Sequence, residues 1–145
     1  MPNFEPPDPD YESRIRASFG RQVIMPTIGA RLTAVRPGEA RIELPFNSAL
    51  TQQHGYLHAG IVGTIADSAC GYAAYTLMPA DSEVLTVEYK INFLSPARGQ
   101  TFTAIGKVVK PGRTVTACSG EVWAHTDDER QLVALLQATM ICIRR

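Results

Sequence analysis

The second half of the chain alternates clearly between apolar and polar positions. In the segment TVEYKINFLSP, the apolar residues Val87, Tyr89, Ile91 and Phe93 alternate with polar ones, and this period predicts a β-strand. Three further segments follow across short turns: TFTAIGKVVK, TVTACSGEVWAH and LVALLQATMICIRR. The last one is apolar enough for a central strand or a helix, and we favour a strand because a meander precedes it and because Thr, Ile and Val crowd its end. The pattern therefore predicts a run of four antiparallel strands.

The first part of the chain combines a helical pattern with a hairpin pattern. Residues 10–20, DYESRIRASFG, carry Ile15 and Phe19 four positions apart between an Asp and a Gly, which predicts a short amphipathic helix. The segment LTAVRPGEARIELPF predicts a hairpin that turns at Pro37–Gly38. Pro45 is best placed at an edge or at a strand end, because it cannot donate to a ladder.

The stretch from Leu57 to Tyr75, LHAGIVGTIADSACGYAAY, is small and apolar and predicts one long helix. A strand-rich chain with one long helix must cover a face of its sheet with that helix. We therefore predict an α+β fold with a single domain over residues 11–145. Residues 1–10 hold four prolines and three acidic residues and predict a flexible arm.

Charge and cysteine content narrow the class of protein. The 14 basic and 14 acidic residues give a formal net charge of zero, which disfavours broad binding to nucleic acid or to an anionic membrane. Cys70, Cys118 and Cys142 are odd in number and widely spaced, which suits reduced thiols. The N-terminus lacks the basic start and apolar core of a signal peptide, and no apolar run is long enough for membrane insertion. We expect a cytoplasmic protein.

Asp67 is the only charged side chain in the predicted long helix. Helical spacing places it on one stripe with Gly60, Gly63 and Gly71. Glycine in a helix costs about 1 kcal/mol relative to alanine, so the stripe indicates close approach by another backbone or by a ligand. A carboxylate there must be paired, have a shifted pKa or face a cleft. It is either a structural, hydrogen-bonded aspartate or a catalytic group.

The start of the same helix offers a second candidate feature, next to His58. A helix start has free backbone N–H groups and the positive end of the dipole, which suit a developing oxyanion. A carboxylate about two turns further along could attack a carbonyl held there, or activate water against it. His54 and His58 are four residues apart, but no third ligand has suitable spacing, so we expect no metal site. Cys70 is explained more simply as a small buried residue than as a nucleophile.

The segment LHAGIVGTIAD resembles the helix-start motif of the hotdog-fold thioesterases of the phenylacetate-degradation type, in which His-Gly-Gly precedes an acidic residue. VEYKINFLSPARG is similar to the strand and turn that follow the helix in that family, and the likeness covers about residues 20–143. The resemblance implies the hotdog fold, a curved antiparallel sheet wrapped around one long helix. It also implies hydrolysis of an acyl-coenzyme A thioester to a free acid and coenzyme A (CoA).

The resemblance assigns roles to residues of the helix. Asp67 matches the catalytic acid, acting as nucleophile or general base, and His58 matches the motif histidine. Ala59 matches the first glycine, whose backbone N–H polarises the thioester carbonyl, and Gly60 matches the second. Alanine keeps this N–H but excludes a φ that only glycine tolerates.

Two further site residues follow from the same resemblance. Many members carry an asparagine before the motif, thought to orient water or the carbonyl, and Gln52 stands at that position with a side chain one methylene longer. Thr86 matches a Ser or Thr that reaches in from the partner subunit. Hotdog subunits pair their sheets edge to edge, so we expect a dimer or a homotetramer with sites at the subunit interface.

The implied substrate brings its own CoA, so we expect neither a metal nor a redox cofactor. Arg98, Lys110 and Arg113 cluster with Lys107 around two predicted turns. They could bind the CoA phosphates, although solvated turn charges are the simpler interpretation.

Two other functions stay open at this point. A non-catalytic module that binds acyl-CoA or lipid would have no need for a carboxylate at Asp67. A hotdog dehydratase would need a histidine and an acid paired across the cleft, and the sequence identifies no such pair.

Overall fold

A computed structural model describes residues 2–145. The elements, in chain order, are helices α1 and α2, strands β1 and β2, a short 3-10 turn, helix α3 and strands β3 to β6. Their bounds are α1 Tyr11–Arg21, α2 Ile24–Ile28, β1 Arg31–Arg36, β2 Glu39–Pro45, the 3-10 turn Ser48–Leu50, α3 Ala59–Tyr75, β3 Ser82–Phe93, β4 Thr101–Lys110, β5 Val115–His125 and β6 Arg130–Arg144.

All six strands belong to one antiparallel sheet in the order β1-β2-β4-β5-β6-β3. Helix α3 packs against strands β2 to β6. Its buried face carries small and medium apolar side chains, including Val62, Ile65 and Ala69. The predicted α+β class, the hairpin and the four later strands are confirmed, and Pro45 ends β2 as expected. The meander itself holds only for β4 to β6, because β3 pairs with β6 at the sheet edge and not with β4.

Helix α3 and the sheet approach each other closely at Gly106 in β4. A Cβ at this position would overlap the backbone of Ala69 and Cys70, so only glycine fits under the helix. The glycine stripe of α3 itself has a weaker role, because a Cβ at Gly71 would meet only the Met140 sulfur at 3.9 Å. Within the described chain, no other backbone approaches the glycine stripe of α3, and the close backbone contact lies at Gly106 in β4 instead.

Two element boundaries differ from the sequence prediction. Helix α3 begins at Ala59 rather than at Leu57, because the Leu57 N–H donates to the carbonyl of Ala97 at 3.0 Å and lies outside the helix. Helix α2 was not predicted, since it has only five residues and contains Pro26. Its last residue is Ile28, and Gly29 follows as the C-cap with a φ of 83°, the left-handed conformation common after a helix.

The N-terminal segment reaches the end of α3. Met1 of the predicted arm lies outside the described residues, and residues 2–10 form neither helix nor strand. Asp8 is nevertheless buried and accepts from Arg14 Nε at 2.8 Å. The same guanidinium donates to the carbonyls of Tyr75 and Met78, at 3.2 and 2.9 Å. Helix α1 is thereby held across the C-terminal end of α3.

Within residues 2–145, no helix has the length and apolar character needed to cross a membrane.

Candidate active site

The first turn of α3 leaves a single backbone donor without an acceptor among the described residues. The N–H of His58, the N-cap, donates to the Leu50 carbonyl at 2.9 Å, that of Gly60 donates to Nδ1 of the His58 ring at 2.8 Å, and that of Ile61 donates to the His58 carbonyl at 2.9 Å. A helix start has four N–H groups that the helix itself cannot satisfy. The fourth, the N–H of Ala59, has no acceptor within residues 2–145. Ala59 is also exposed, so this donor is free for a ligand.

His58 acts as the N-cap of α3. Its ring accepts through Nδ1, so in the neutral ring the proton lies on Nε2. A Cβ at Gly60 would stand only 3.0 Å from that Nδ1, and glycine therefore makes room for the capping ring. No residue other than glycine has a positive φ among residues 2–145, so Ala59 needs no glycine-only conformation.

Gln52 closes the loop that leads into the helix. Its Oε1 accepts from the backbone N–H groups of His54 and Tyr56, at 2.7 and 3.2 Å. With the oxygen engaged in the loop, the Nε2 group is the end that remains for a ligand. Gln52 and Ala59 line one mostly apolar cavity of about 280 Å³, together with Phe93 and Val133.

Asp67 lies on the same helix and is bound by Thr86. The Thr86 hydroxyl donates to Asp67 Oδ1 at 2.8 Å. Burial raises the pKa of the Asp67 carboxyl above its usual value, and the hydrogen bond from Thr86 opposes part of that rise. Both residues belong to one chain, so the expectation that Thr86 reaches Asp67 from a partner subunit is wrong for this contact.

A β-bulge explains how Thr86 reaches the helix. The register with β6 shifts between Thr86 and Glu88, which leaves Val87 as the extra residue. Thr86 therefore faces α3 together with Tyr89 and Ile91, whereas strict alternation would put Thr86 on the opposite face. The outward-pointing Val87 is 55% exposed.

A second cleft, of about 200 Å³, surrounds the carboxylate. Asp67 and Thr86 line it with residues of α1 and the second half of α3, among them Ser18, Gln22 and Tyr72. Gln22 Nε2 donates to the Tyr72 hydroxyl at 2.8 Å, and Ser18 Oγ lies 3.2 Å from the same hydroxyl. Sequence analysis did not identify this polar wall, although Ser18 and Gln22 have the helical spacing of one face.

The two halves of the predicted machinery lie far apart within one chain. Ala59 and Asp67 are eight residues apart in one continuous helix, and a rise of 1.5 Å per residue separates them by about 12 Å. A nucleophile must approach a carbonyl carbon to about 3–3.5 Å while the oxyanion donor stands about 3 Å from the oxygen. The expectation that both groups of one helix act on the same carbonyl is therefore not met.

The candidate CoA-binding residues also lie far apart in the structure. Arg98 precedes β4, and Lys110 is its last residue, so the length of a ten-residue strand, about 33 Å, lies between them. Arg113 follows in the β4–β5 turn beside Lys110. Arg98 is adjacent to Ala97, which lines the cavity with Ala59. One chain thus brings Arg98, but neither Lys110 nor Arg113, near the helix start.

The cysteines are placed as inert core groups. Cys70, Cys118 and Cys142 are free and buried. Burial raises the pKa of Cys70 well above its ordinary value and that of Cys118 to about 12, so both thiols stay protonated at neutral pH. In the described part of the chain, no group of three His, Cys, Asp or Glu side chains could hold a metal ion.

Comparison with known proteins identifies the family. The model of the Thioesterase superfamily matches residues 54–130, a range that contains the helix start, Asp67 and Thr86. The chain belongs to the thioesterase superfamily. A thioesterase family protein from Silicibacter pomeroyi is 48% identical, with a TM-score of 0.92 over 93% of this chain and 99% of that one. The family and the hotdog fold inferred from the helix motif are thereby confirmed.

Two curated relatives of this thioesterase-superfamily chain are more distant. A Saccharolobus solfataricus protein, named only provisionally as an esterase, is 38% identical over 61% of this chain, and the match spans 62% of that relative, less than two thirds of its length. The 1,4-dihydroxy-2-naphthoyl-CoA hydrolase of Listeria monocytogenes is 27% identical over 79% of this chain and 90% of the relative. Family membership supports thioester hydrolysis as the general reaction of the chain.

Proposed function

We propose that the protein hydrolyses acyl-CoA thioesters at sites built from two copies of the chain. The observation that carries the proposal is the pair of half-sites on α3: a free N–H at Ala59 and, about 12 Å away, a carboxylate at Asp67. Each half-site has its own cavity. A second, antiparallel copy of α3 supplies the missing half to each, so a two-fold dimer holds two complete sites.

Strand β3 is the surface that would receive the second copy. It lies at the edge of the sheet and runs for 12 residues. Leu85 and Val87 are 59% and 55% exposed on it, and Phe93 is 48% exposed. A long apolar edge strand is a template for pairing with another chain. Antiparallel pairing of two β3 strands would join the two sheets edge to edge, and a tetramer would need a further surface.

The chemistry follows from the composite site. The thioester oxygen would accept from the Ala59 N–H of one chain, which stabilises the negative charge that develops on it. Asp67 of the other chain would attack the carbonyl carbon, breaking the C–S bond, and water would then hydrolyse the resulting anhydride. Alternatively, Asp67 would take a proton from a water that attacks directly. In either route CoA leaves as a thiolate that gains a proton, and the acyl group leaves as the free acid.

Several parts of the protein would support this reaction. The Gln52 amide would orient the carbonyl or the water from the side of Ala59, and Thr86 would hold Asp67 in position. The CoA part of the substrate is suggested by the Listeria relative, whose name describes hydrolysis of a CoA thioester. The reaction needs no metal or redox cofactor, and the three free cysteines favour the reducing cytoplasm.

A thiol-release assay tests the proposal. Wild-type protein and Asp67→Asn are compared on aromatic, medium-chain and long-chain acyl-CoA esters, with equilibrium binding measured in parallel. We expect the wild type to release CoA from at least one ester and Asp67→Asn to lose nearly all turnover while still binding it. Binding without release by the wild type would instead establish the acyl-CoA-binding module. An Asp67→Asn protein that retains most of the wild-type kcat would refute the role of this carboxylate.

A further inference from the structure

The cleft around Asp67 has free space over Gly71. Gly71 follows Asp67 by four residues, on the same face of α3. A Cβ at this position would meet only the Met140 sulfur, at 3.9 Å, so the described chain has room for an alanine. Alanine also favours a helix more than glycine does. Neither packing nor helix formation explains the missing side chain, which leaves space in the cleft beside the carboxylate.

A polar wall, formed by Gln22, Ser18 and Tyr72, bounds the cleft beyond this space. Tyr72 is its buried part, with 3% of the residue exposed. The Phe19 ring packs against the Tyr72 ring, with centroids 5.8 Å apart. Gln22 and Ser18 belong to α1, and both contact the Tyr72 hydroxyl. These contacts fix the arrangement of the polar wall before a ligand binds.

The polar wall has one unused hydrogen-bond donor and one unused acceptor. Gln22 Nε2 donates to the Tyr72 hydroxyl at 2.8 Å, whereas Gln22 Oε1 accepts from no group within residues 2–145. Tyr72 and Ser18 have one hydroxyl proton each, and their contact at 3.2 Å uses only one of the two. The other proton finds no acceptor in the described part of the chain. A group that both donates and accepts, as a hydroxyl does, would satisfy both unused positions.

Size and charge narrow the group that this cleft can take. Tyr72 lies five residues beyond Asp67, about 7.5 Å along the helix axis, a distance that one aromatic ring or a short alkyl chain spans. The cleft of about 200 Å³ is smaller than most ligand pockets, which measure about 300–1,000 Å³, so a long chain would not fit within it. Asp67 and Glu83 both line the cleft, and their carboxylates would repel a carboxylate on the ligand.

We propose that the acyl group of the substrate is compact, lies over Gly71 and ends in a neutral hydroxyl that the polar wall binds. The inference rests on the proposed function, which places the thioester carbonyl beside Asp67. The acyl hydroxyl donates to Gln22 Oε1 and accepts the free proton of the Tyr72–Ser18 pair. An acyl group without a hydroxyl leaves these groups unpaired, and sites built to bind a hydroxyl discriminate against such analogues. Gln22 is therefore a specificity-determining residue.

Matched pairs of acyl-CoA esters test this preference in the thiol-release assay. Para-hydroxybenzoyl-CoA is compared with benzoyl-CoA, and ω-hydroxyhexanoyl-CoA with hexanoyl-CoA, so that the pairs separate an aromatic from an aliphatic source of the hydroxyl. We expect kcat/KM to be about tenfold or more higher for the hydroxylated member of at least one pair. Para-fluorobenzoyl-CoA is close in size to the hydroxylated ester but cannot donate, and it should react like benzoyl-CoA. Glutaryl-CoA, whose acyl group ends in a carboxylate, should be a poor substrate.

Gln22→Met removes the acceptor of the polar wall while keeping a side chain of similar length and helix propensity. The ratio of kcat/KM between the hydroxylated and the plain ester should therefore fall towards one. Gln137→Met is the matched control, because Gln137 is exposed on β6 and lies outside the cleft; it should keep the wild-type ratio.

Gly71→Ala tests whether the acyl group occupies the space over the glycine. The variant should melt at or above the wild-type temperature, because the methyl group has room and favours the helix. We expect kcat/KM for the ring esters to fall about tenfold or more relative to that for acetyl-CoA, whose acyl group is too short to reach this space. A folded variant with unchanged kcat/KM for every ester would contradict the placement.

Equilibrium binding separates this inference from the proposed function. Ketone analogues, in which CH₂ replaces the thioester sulfur, cannot be hydrolysed, so their affinities report binding alone. Tighter binding of a hydroxylated analogue, lost in Gln22→Met, supports the inference even if the wild type hydrolyses none of the esters. The inference is overturned by equal kcat/KM and equal affinity within both pairs, by a preference that survives in Gln22→Met, or by fastest turnover of glutaryl-CoA. Thioester turnover with any of these results would leave the proposed function standing.

Discussion

The Thr86 hydroxyl donates to Asp67 Oδ1 at 2.8 Å within one chain. This bond favours the charged carboxylate, while burial, the larger effect, favours the protonated form and raises the pKa of Asp67. A nucleophile or general base must be ionised to act. The balance between Thr86 and burial therefore sets the lowest pH at which the proposed reaction can run.

The first prediction concerns the pH profile of Thr86→Val. Valine has a similar shape but no donor, so the pKa of Asp67 should rise further. We expect the acid limb of kcat/KM to move to higher pH, with little change on the alkaline side. Thr86→Ser keeps a hydroxyl and should restore the wild-type profile. An unchanged acid limb in the valine variant would show that this carboxylate does not limit the rate.

The second prediction concerns stability. Because the pKa of Asp67 is raised in the folded state, ionisation costs folding free energy as the pH rises from the unfolded pKa, about 3.9, through the folded one. Asparagine cannot ionise and can still accept from Thr86. We expect Asp67→Asn to have a higher Tm than the wild type at pH 7, because the variant has no carboxylate to ionise in the buried site. At about pH 3.5, below the unfolded pKa, the difference should shrink towards zero, and a lower Tm at pH 7 would contradict the prediction.

The third prediction concerns the free N–H of Ala59. Proline at this position would delete the donor, and the first helical position tolerates proline. His58 already has φ −59° and ψ 138°, the extended conformation that a residue before proline requires. We expect Ala59→Pro to lose about 100-fold or more in kcat with little change in Tm.

Ala59→Gly is the matched control for the proline variant. Glycine retains the N–H, so its rate should stay near that of the wild type. If Ala59→Pro is folded and reacts at the normal rate, this N–H is not the oxyanion donor.

The fourth prediction concerns the CoA phosphates. Arg98 lies beside the cavity of Ala59, whereas Lys110 lies at the far end of β4. We expect Arg98→Ala to raise KM about fivefold or more for acyl-CoA, and to leave KM unchanged for an acyl-pantetheine thioester that lacks the nucleotide phosphates. Lys110→Ala is the control, with no expected effect on either substrate. Equal effects of Arg98→Ala on both thioesters would assign it a structural role.

The outline of the fold was accessible from sequence because its signals are local. Period-two alternation marked β3, short turns separated the strands that follow it, and a run of small apolar residues marked α3. The start of α3 was placed two residues early because Leu57 continues the apolar pattern, although its N–H bonds to Ala97 across a loop. The five-residue α2 is too short to show a helical period.

The parts of the site that sequence reasoning missed depend on non-local structure. The bulge at Val87 carries no glycine to mark it, and the period-two pattern alone would put Thr86 on the face opposite Tyr89. Gly106 is needed because of a helix that packs over it, which β4 alone does not reveal. By contrast, the distance between Ala59 and Asp67 could have been predicted from their eight-residue spacing alone. That distance excludes a site formed by both residues of one helix.

The last prediction uses that separation to test the shared site by subunit exchange. Asp67→Asn and Ala59→Pro damage different half-sites, and in the proposed dimer these half-sites come from different chains. A heterodimer of the two variants would then hold one doubly damaged site and one intact site. Random exchange at equal amounts makes half of the dimers mixed, so about a quarter of wild-type activity should return. The exchange itself is verified by mass.

The control mixes Asp67→Asn with Thr86→Val, whose residues lie in the same half-site of one chain, and is assayed on the acid limb, where Thr86→Val is impaired. In a heterodimer of these two variants, one site receives the damaged Asp67 and the other receives the damaged Thr86, so no site is intact. Activity should therefore stay at the average of the two separate variants. Recovery in both mixtures would mean that Asp67 and Thr86 act from different chains. Recovery in neither, with exchange verified, would mean that each site is complete within one chain.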